Sequence, residues 1–301
     1  MFISKILFYI SWLVKFKLLN KKIPLNSSII LTDKCNLQCK HCTVSNLGYT
    51  DTRFTEIKKD IDRLYSMGSR MLVITGGEPF LWQDNNYVLD DVVEYAKRIG
   101  FYRIVICTNG TFELKSKADY LWVSLDGFPQ EHDRLRGNIY NTVIQNISDS
   151  NHKKIYINFT IHKDNFLDFD VSTEQILTIK KVRGILFHIF TPYLNSDKSL
   201  VLTDTEKQLV INKLFSVKKN HPIKVSNTYD GIKALKENIW ERPLWGSITI
   251  NQGEPSLCCC RKGIYNDRVC SQCGCSPAAE TWVLQQLKPL AIIENLRFSP
   301  L

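Results

Sequence analysis

From residue 26 onward, short runs rich in β-branched and aromatic residues alternate with stretches whose apolar residues recur at helical spacing. A chain patterned this way folds as βα units, with parallel strands joined by helical crossovers. Six runs read as strands: SSIILT (27–32), MLVIT (71–75), RIVICT (103–108), YLWVSLD (120–126), KIYINFTIH (154–162) and ILFHIF (185–190). Between the first two, residues 55–68 place Ile57, Ile61, Leu64 and Tyr65 on one helix face and stop at Gly68, a helix-ending glycine. Residues 87–100 repeat that design and also stop at a glycine. The interval between the third and fourth runs is too short for a full helix, so one crossover is abbreviated.

Past residue 200 the pattern changes. Residues 203–219 read as a helix with Thr203 or Thr205 as N-cap, and residues 246–258 read as two strands around a glycine-containing turn. A cysteine-dense loop follows, then one last helix in AAETWVLQQL. This organisation predicts an N-terminal basic apolar helix over 1–22, a main domain over 23–200 and a C-terminal domain over 201–301.

The formal charge is +9, but Lys5, Lys15, Lys17, Lys21 and Lys22 all fall in the first 22 residues, where there is no acid. So local an excess argues against nucleic-acid binding spread over the molecule. Two readings stand for this segment: a helix lying in a membrane interface or covering a lipid-like substrate, and a helix packed on the main domain. No stretch reaches the ~20 uninterrupted apolar residues of a spanning helix, which excludes an integral channel or transporter. The opening residues carry no small-residue cleavage motif, so the expected location is a reducing cytoplasm, with membrane association through the N-terminal helix as an added expectation.

The ten cysteines form two groups with Cys107 alone between them. Cys35, Cys39 and Cys42 follow the first strand within eight residues, and three thiolates so close can wrap one soft metal centre. Zinc would need a fourth donor, which His41 could supply, whereas a [4Fe–4S] cluster on three cysteines leaves one iron open to an outside ligand. Position bears on the choice. In a parallel βα barrel, chemistry sits at the C-terminal ends of the strands, where this loop emerges. Gly76-Gly77-Glu78-Pro79 emerges from the end of the next strand, with two glycines that let backbone approach a ligand closely.

With these residues in view, the sequence resembles the radical S-adenosylmethionine (SAM) enzymes. The resemblance rests on the Cys35/Cys39/Cys42 spacing, GGEP at 76–79, TNG at 108–110, VSLDG at 123–127 and HDRLRG at 132–137, and covers about residues 26–195. It implies an α/β fold, a partial (β/α)6 TIM-like barrel with a small C-terminal cysteine-rich auxiliary-cluster domain. It implies a [4Fe–4S] cluster on Cys35, Cys39 and Cys42, with SAM on the open iron and cleaved to a 5′-deoxyadenosyl radical that abstracts hydrogen.

Carried over by position, Gly76, Gly77, Glu78 and Pro79 hold the methionyl amino group, Ser124 and Asp126 face the ribose, and Asn109 and Asn158 are further cofactor contacts. Ser124 and Asp126 also alternate with Val123 and Leu125, so they equally read as the polar face of a strand. Arg136 has the fork to meet the SAM carboxylate, and equally reads as an exposed helix arginine.

Cys258 to Cys260, Cys270, Cys273 and Cys275 form the second group. Their spacing fits a zinc knuckle or a second cluster. The arrangement is similar to the SPASM or shortened twitch domains that follow the barrel in many radical SAM enzymes. That similarity implies one auxiliary [4Fe–4S] cluster on Cys258, Cys270, Cys273 and Cys275, with Cys260 able to replace Cys258. Cys107, inside an apolar strand, reads as a small buried hydrophobe.

The resulting expectation is an enzyme acting on a bulky substrate, a peptide or protein side chain, supplied by a low-potential electron donor such as flavodoxin or ferredoxin. No residue is singled out as catalytic. One alternative keeps the chemistry and takes a lipid or isoprenoid substrate. The other is a non-catalytic iron–sulfur or zinc protein. With no cobalamin-binding segment before the barrel in this sequence, cobalamin-dependent methyl transfer is not expected.

Overall fold

The structure, a computed structural model, describes residues 2–49, 51–193, 196–242, 244–258 and 267–298. In chain order the elements are α1 (Phe2–Lys17), β1 (Asn26–Ile30), α2 (Phe54–Ser66), β2 (Met71–Thr75), the short pair β3 (Gln83–Asp84) and β4 (Tyr87–Val88), α3 (Leu89–Ile99), β5 (Arg103–Thr108), β6 (Tyr120–Ser124), α4 (Pro129–Arg136), α5 (Tyr140–Asp149), β7 (Ile155–Ile161), α6 (Phe169–Leu177) and β8 (Val182–Ile189). There follow α7 (Asp204–Asn220), α8 (Tyr229–Glu237), β9 (Ser247–Asn251), β10 (Glu254–Leu257), α9 (Asp267–Ser271), α10 (Ser276–Gln285) and α11 (Pro289–Phe298).

One eight-stranded sheet runs in the order β10-β9-β1-β2-β5-β6-β7-β8. Its six central and distal members, β1, β2, β5, β6, β7 and β8, are parallel neighbours, the order of a partial (β/α)6 TIM-like barrel. Alternation splits each strand between two faces. Ile29, Ile74, Ile106, Val123, Ile157 and Phe187 pack outward beneath helix residues such as Ile57, Ile61, Val92 and Val143 in one large core. A separate inner cluster joins Val105, Trp122 and Leu186 to Val73, Cys107, Tyr120 and Tyr156. Cys107 is therefore a half-buried lumen residue rather than part of the outer core.

All six expected strands are present, the last starting earlier, at Val182. α3 ends on Gly100 in the left-handed region, as expected, whereas α2 is capped by Met67 and Gly68 follows at φ +96°. The β5–β6 connection contains no helix, and Thr203 caps α7 in a capping box with Glu206. Beyond the expected last helix, α11 adds a second, set off by Leu287 at positive φ and opened by Pro289.

The expected boundary near residue 200 does not divide the sheet. β9 pairs in parallel with β1, Ser28 opposite Thr249, and β10 returns antiparallel to it. β1 would otherwise be an edge strand, and the C-terminal hairpin covers it. α1 lies at the opposite end from the strand termini that carry the motifs. Trp12 donates to the Ile23 carbonyl at 2.8 Å and stacks near Trp245, while Phe8 meets Tyr102. Ile23, Tyr102 and Trp245 all precede the starts of strands, so α1 underlies the barrel floor. No helix among the described residues is long and apolar enough to cross a membrane.

A buried acid ties the C-terminal helices together. Glu280 of α10 accepts from both the Thr228 N–H and the Thr228 hydroxyl at the start of α8. Burial is the main cause that pushes its carboxyl up, from 4.5 to about 8. The folded state therefore holds a proton that the unfolded chain releases, and stability falls as pH rises across that window. Glu280→Gln is expected to flatten the fall of the urea midpoint between points inside and above this window; an unchanged slope would contradict the assignment.

Candidate active site at the barrel mouth

The loop after β1 carries Cys35, Cys39 and Cys42, and polar side chains shape it. Asp33, buried, accepts from the Leu47 and Tyr49 N–H groups through one carboxylate oxygen. Asn46 accepts from the Cys35 N–H at 2.9 Å and donates to the Leu37 carbonyl. The Cys42 N–H closes a turn on the Cys39 carbonyl, and the Lys40 N–H reaches the Leu135 carbonyl at the end of α4. Sequence reading missed Asp33 and Asn46, although asparagine and aspartate flanking a cysteine loop are the residues that hold turns of this kind.

The GGEP segment sits against this loop. The Gly77 and Glu78 N–H groups donate to the Thr32 and Lys34 carbonyls, each at 2.8 Å. A Cβ on Gly76 would lie 2.3 Å from the Thr32 oxygen, and one on Gly77 2.2 Å from the Lys34 oxygen. The close approach expected of these glycines is thus made to the cysteine loop's own backbone. Pro79 opens the 3-10 turn that Glu78 caps. The Glu78 carboxylate is fully buried and accepts from Thr108 Oγ1 (2.9 Å), the Asn109 N–H (2.7 Å) and the Phe80 N–H (3.2 Å). Burial outweighs these donors and moves its carboxyl up to about 7.

Two side chains from other elements reach the thiols. Asn109, after β5, directs Nδ2 to Cys35 Sγ at 3.7 Å and to Asn36 Oδ1 at 2.9 Å. Arg136, the last residue of α4, directs Nη1 to Cys39 Sγ at 3.9 Å. Arg136 is buried, not the exposed helix arginine of the ordinary reading. Its Nε is paired at 2.5 Å with Asp126 Oδ2, and Asp126 Oδ1 accepts from the Thr160 N–H at 2.6 Å. Both Asp126 oxygens are thus engaged within the protein, and the residue is fully buried. Burial alone would raise its carboxyl, but Arg136, His41 and His132 together hold it down near about 2.

Ser124 and Asn158 are register partners on the inner face, where Asn158 Oδ1 also contacts His188 Nε2. His188 was not singled out from sequence; its place in an alternating strand was the available signal. Below them, the buried Trp122 Nε1 has no hydrogen-bond partner among the described residues. Gly76–Pro79, Asn109 and Asp126 follow the C-terminal ends of their strands, Ser124 ends β6, and Asn158 lies mid-strand in β7 opposite it.

In the second group, Cys258 and Cys273 are buried, and Cys270 and Cys275 half-buried. Cys273 and Cys275 flank Gly274, whose carbonyl accepts from the Ile189 N–H at the end of β8, whose N–H donates to the Thr191 hydroxyl, and where a Cβ would lie 2.1 Å from the Ile189 carbonyl oxygen. Burial first, then the neighbouring thiols Cys275 and Cys258, push the Cys273 thiol up to about 12. Cys270 lies on α9, its carbonyl accepting from the Cys273 N–H. Cys259 and Cys260 lie outside the described residues. Among the described residues, no three histidine, cysteine, aspartate or glutamate side chains converge tightly enough for a single metal ion. A multi-iron cluster binds each thiolate to a different iron and needs no such convergence. With N–H donors aimed at Cys35 and Cys39, the first site suits an iron–sulfur cluster, whose properties depend on hydrogen bonds to its sulfurs.

Residues 29–165 match the family model of the Radical SAM superfamily. The superfamily uses a [4Fe–4S] cluster and SAM. Among curated proteins, the chain is 29% identical over 256 residues to the Fe-coproporphyrin III synthase of Methanosarcina barkeri, covering 75% of this chain and 63% of that protein. It is 33% identical over 129 residues to the antilisterial bacteriocin subtilosin biosynthesis protein AlbA of Bacillus subtilis, covering 38% of this chain and 27% of the relative. Among solved structures, Streptococcus suis SuiB bound to its precursor peptide SuiA aligns with a TM-score of 0.63 at 14% identity, over 84% of this chain and 64% of that one. The chain thus spans less than two thirds of each of these three proteins.

Replacing Gly77 by Ala sets a methyl group on the Lys34 carbonyl and should unseat the cysteine loop. After anaerobic reconstitution, Gly77→Ala is expected to retain much less iron at the first site while far-UV circular dichroism stays native. Full iron retention would show that the close contact does not hold the loop.

Proposed function

We propose that the chain is a radical SAM enzyme that abstracts hydrogen from a bulky substrate, a peptide or protein side chain, at the barrel mouth. The observation that carries this reading is the pair of donors, Asn109 after β5 and Arg136 at the end of α4, that reach Cys35 and Cys39. When bound, a [4Fe–4S] cluster on Cys35, Cys39 and Cys42 together with SAM supplies a radical able to take hydrogen from an unactivated C–H bond. The chain's own residues then orient and enclose. The Gly76–Pro79 backbone forms the wall for the methionyl amino group, and Ser124 and Asn158 offer hydrogen bonds along the inner face. Asp126 acts through Arg136, fixing the guanidinium that faces Cys39 and leaving its remaining N–H groups for the cofactor carboxylate. The inner cluster around Trp122 excludes water beneath them.

Cys258, Cys270, Cys273 and Cys275 are proposed to hold one auxiliary [4Fe–4S] cluster in a SPASM- or twitch-like segment. A low-potential flavodoxin or ferredoxin is the proposed electron donor, and the cytoplasm the location, with peripheral membrane contact through α1. The peptide substrate draws support from the bacteriocin-biosynthesis relative and from the peptide bound to SuiB. A porphyrin-type substrate is the second reading, favoured by the longer match to the Fe-coproporphyrin III synthase. The lipid or isoprenoid alternative leaned on the N-terminal helix. That helix lies under the barrel floor, away from the mouth, and lends it no support.

Reconstituted protein given SAM and dithionite is expected to release 5′-deoxyadenosine, and Cys39→Ala to abolish it. Release no greater than from that variant would establish the non-catalytic alternative instead. The auxiliary cluster predicts about eight irons per chain, against about four in the Cys270→Ala/Cys273→Ala variant. Zinc in the second site of anaerobically purified protein would contradict it.

A further inference from the structure

The two faces of α1 are both apolar, and only one is covered. Phe8, Trp12, Leu13 and Phe16 pack against Ile23, Leu25, Trp245 and Leu284. On the outer side Leu7, Ile10, Val14 and Leu18 are 60%, 52%, 44% and 77% exposed. They recur every three or four residues and so form one stripe along the helix. A helix apolar all round is normally buried all round.

The stripe is bordered by charge of one sign. Lys15, Lys17, Lys21 and Lys22 are exposed at its C-terminal end, and no acidic residue precedes Asp33. α11, which shares the Trp12 cluster through Ile292, exposes Leu290 and Ile293 at 50% and 46%. Apolar side chains with a lysine border complement the interface of a bilayer with anionic headgroups, where the stripe enters the acyl boundary and the ammonium groups meet the lipid charge.

The place of α1 in the barrel fixes a direction. Its contacts are to residues just before β1, β5 and β9, whereas the cysteine loop, GGEP and Asn109 follow the ends of parallel strands. A strand of five or six residues separates the two ends by about 17–20 Å. We propose that α1 rests on an anionic bilayer through Leu7, Ile10, Val14 and Leu18, with the barrel floor toward the membrane and the mouth turned away. This inference rests on the peripheral contact proposed above and deepens it: substrate reaches the mouth from the aqueous side, and one retained in the bilayer beneath the floor cannot.

The test uses the full chain with phosphatidylcholine vesicles, with or without about 30% phosphatidylglycerol. Co-sedimentation is expected with the anionic vesicles only. Leu7→Glu/Ile10→Glu/Val14→Glu is expected to bind at least about tenfold more weakly, with an unchanged melting temperature because the Trp12 face is intact. Hydrogen exchange on the vesicles is expected to slow over residues 2–22 and stay unchanged over 33–49 and 109–118. Absence of anionic-vesicle binding overturns the peripheral contact itself. Full binding by the triple variant overturns the choice of face, and slowed exchange in the mouth loops overturns the direction. Slowed exchange in α1 of concentrated protein without vesicles identifies a second copy as its cover and overturns the proposal.

Discussion

Gly76 and Gly77 lie so close to the Thr32–Lys34 backbone that no side chain fits between them. Most of the mouth is built outward from that contact. The two N–H···O bonds beside it fuse the first two strand-end loops, and the buried Glu78 extends the join to the third through Thr108 and Asn109. Three successive loops of the barrel thus share one hydrogen-bonded ridge, and Asn109, fixed on it, points at Cys35. A thiol set by neighbouring backbones rather than by long side chains loses little conformational freedom when it takes a ligand.

The opposite wall works by charge. An isolated guanidinium buried at the end of α4 would be costly, and Asp126 offsets that through one close ion pair while the Thr160 N–H satisfies its second oxygen. His132 stays neutral, its imidazole lowered to about 4 by burial and by Arg136, and so accepts the Asp126 N–H without adding a third charge. The net result is a positive group held against Cys39. Burial pushes the Cys39 thiol up, and Arg136 offsets part of that while favouring an anionic ligand in the same pocket.

The strands and the cysteine and GGEP loops were legible because each obeys a local rule: period-two alternation, a glycine helix stop, or chemistry-bearing residues just past a strand. Asp126 shows where local rules stop. Alternation sets it on the side of Ser124, but which partner a polar residue just past a strand turns to depends on α4 folding back to bring Arg136, ten residues on, over it. The hairpin of β9 and β10 was also legible as a hairpin, yet its membership of the barrel sheet was not. Pairing with β1, more than two hundred residues earlier, leaves no trace in either segment's own pattern.

That pairing also accounts for the second cysteine group. β10 ends at Leu257, just before Cys258, and Gly274 is bonded to the end of β8, the far edge of the same sheet. The segment carrying Cys270, Cys273 and Cys275 therefore joins the two edges of an open barrel, and Cys273 comes within electrostatic reach of Cys258 across the gap. With β9 and β10 added beyond β1, the sheet still ends in two open edges, β10 and β8, and a cross-link between them would stabilise the curvature that the mouth requires. Thiolates bound to a common centre would make such a cross-link.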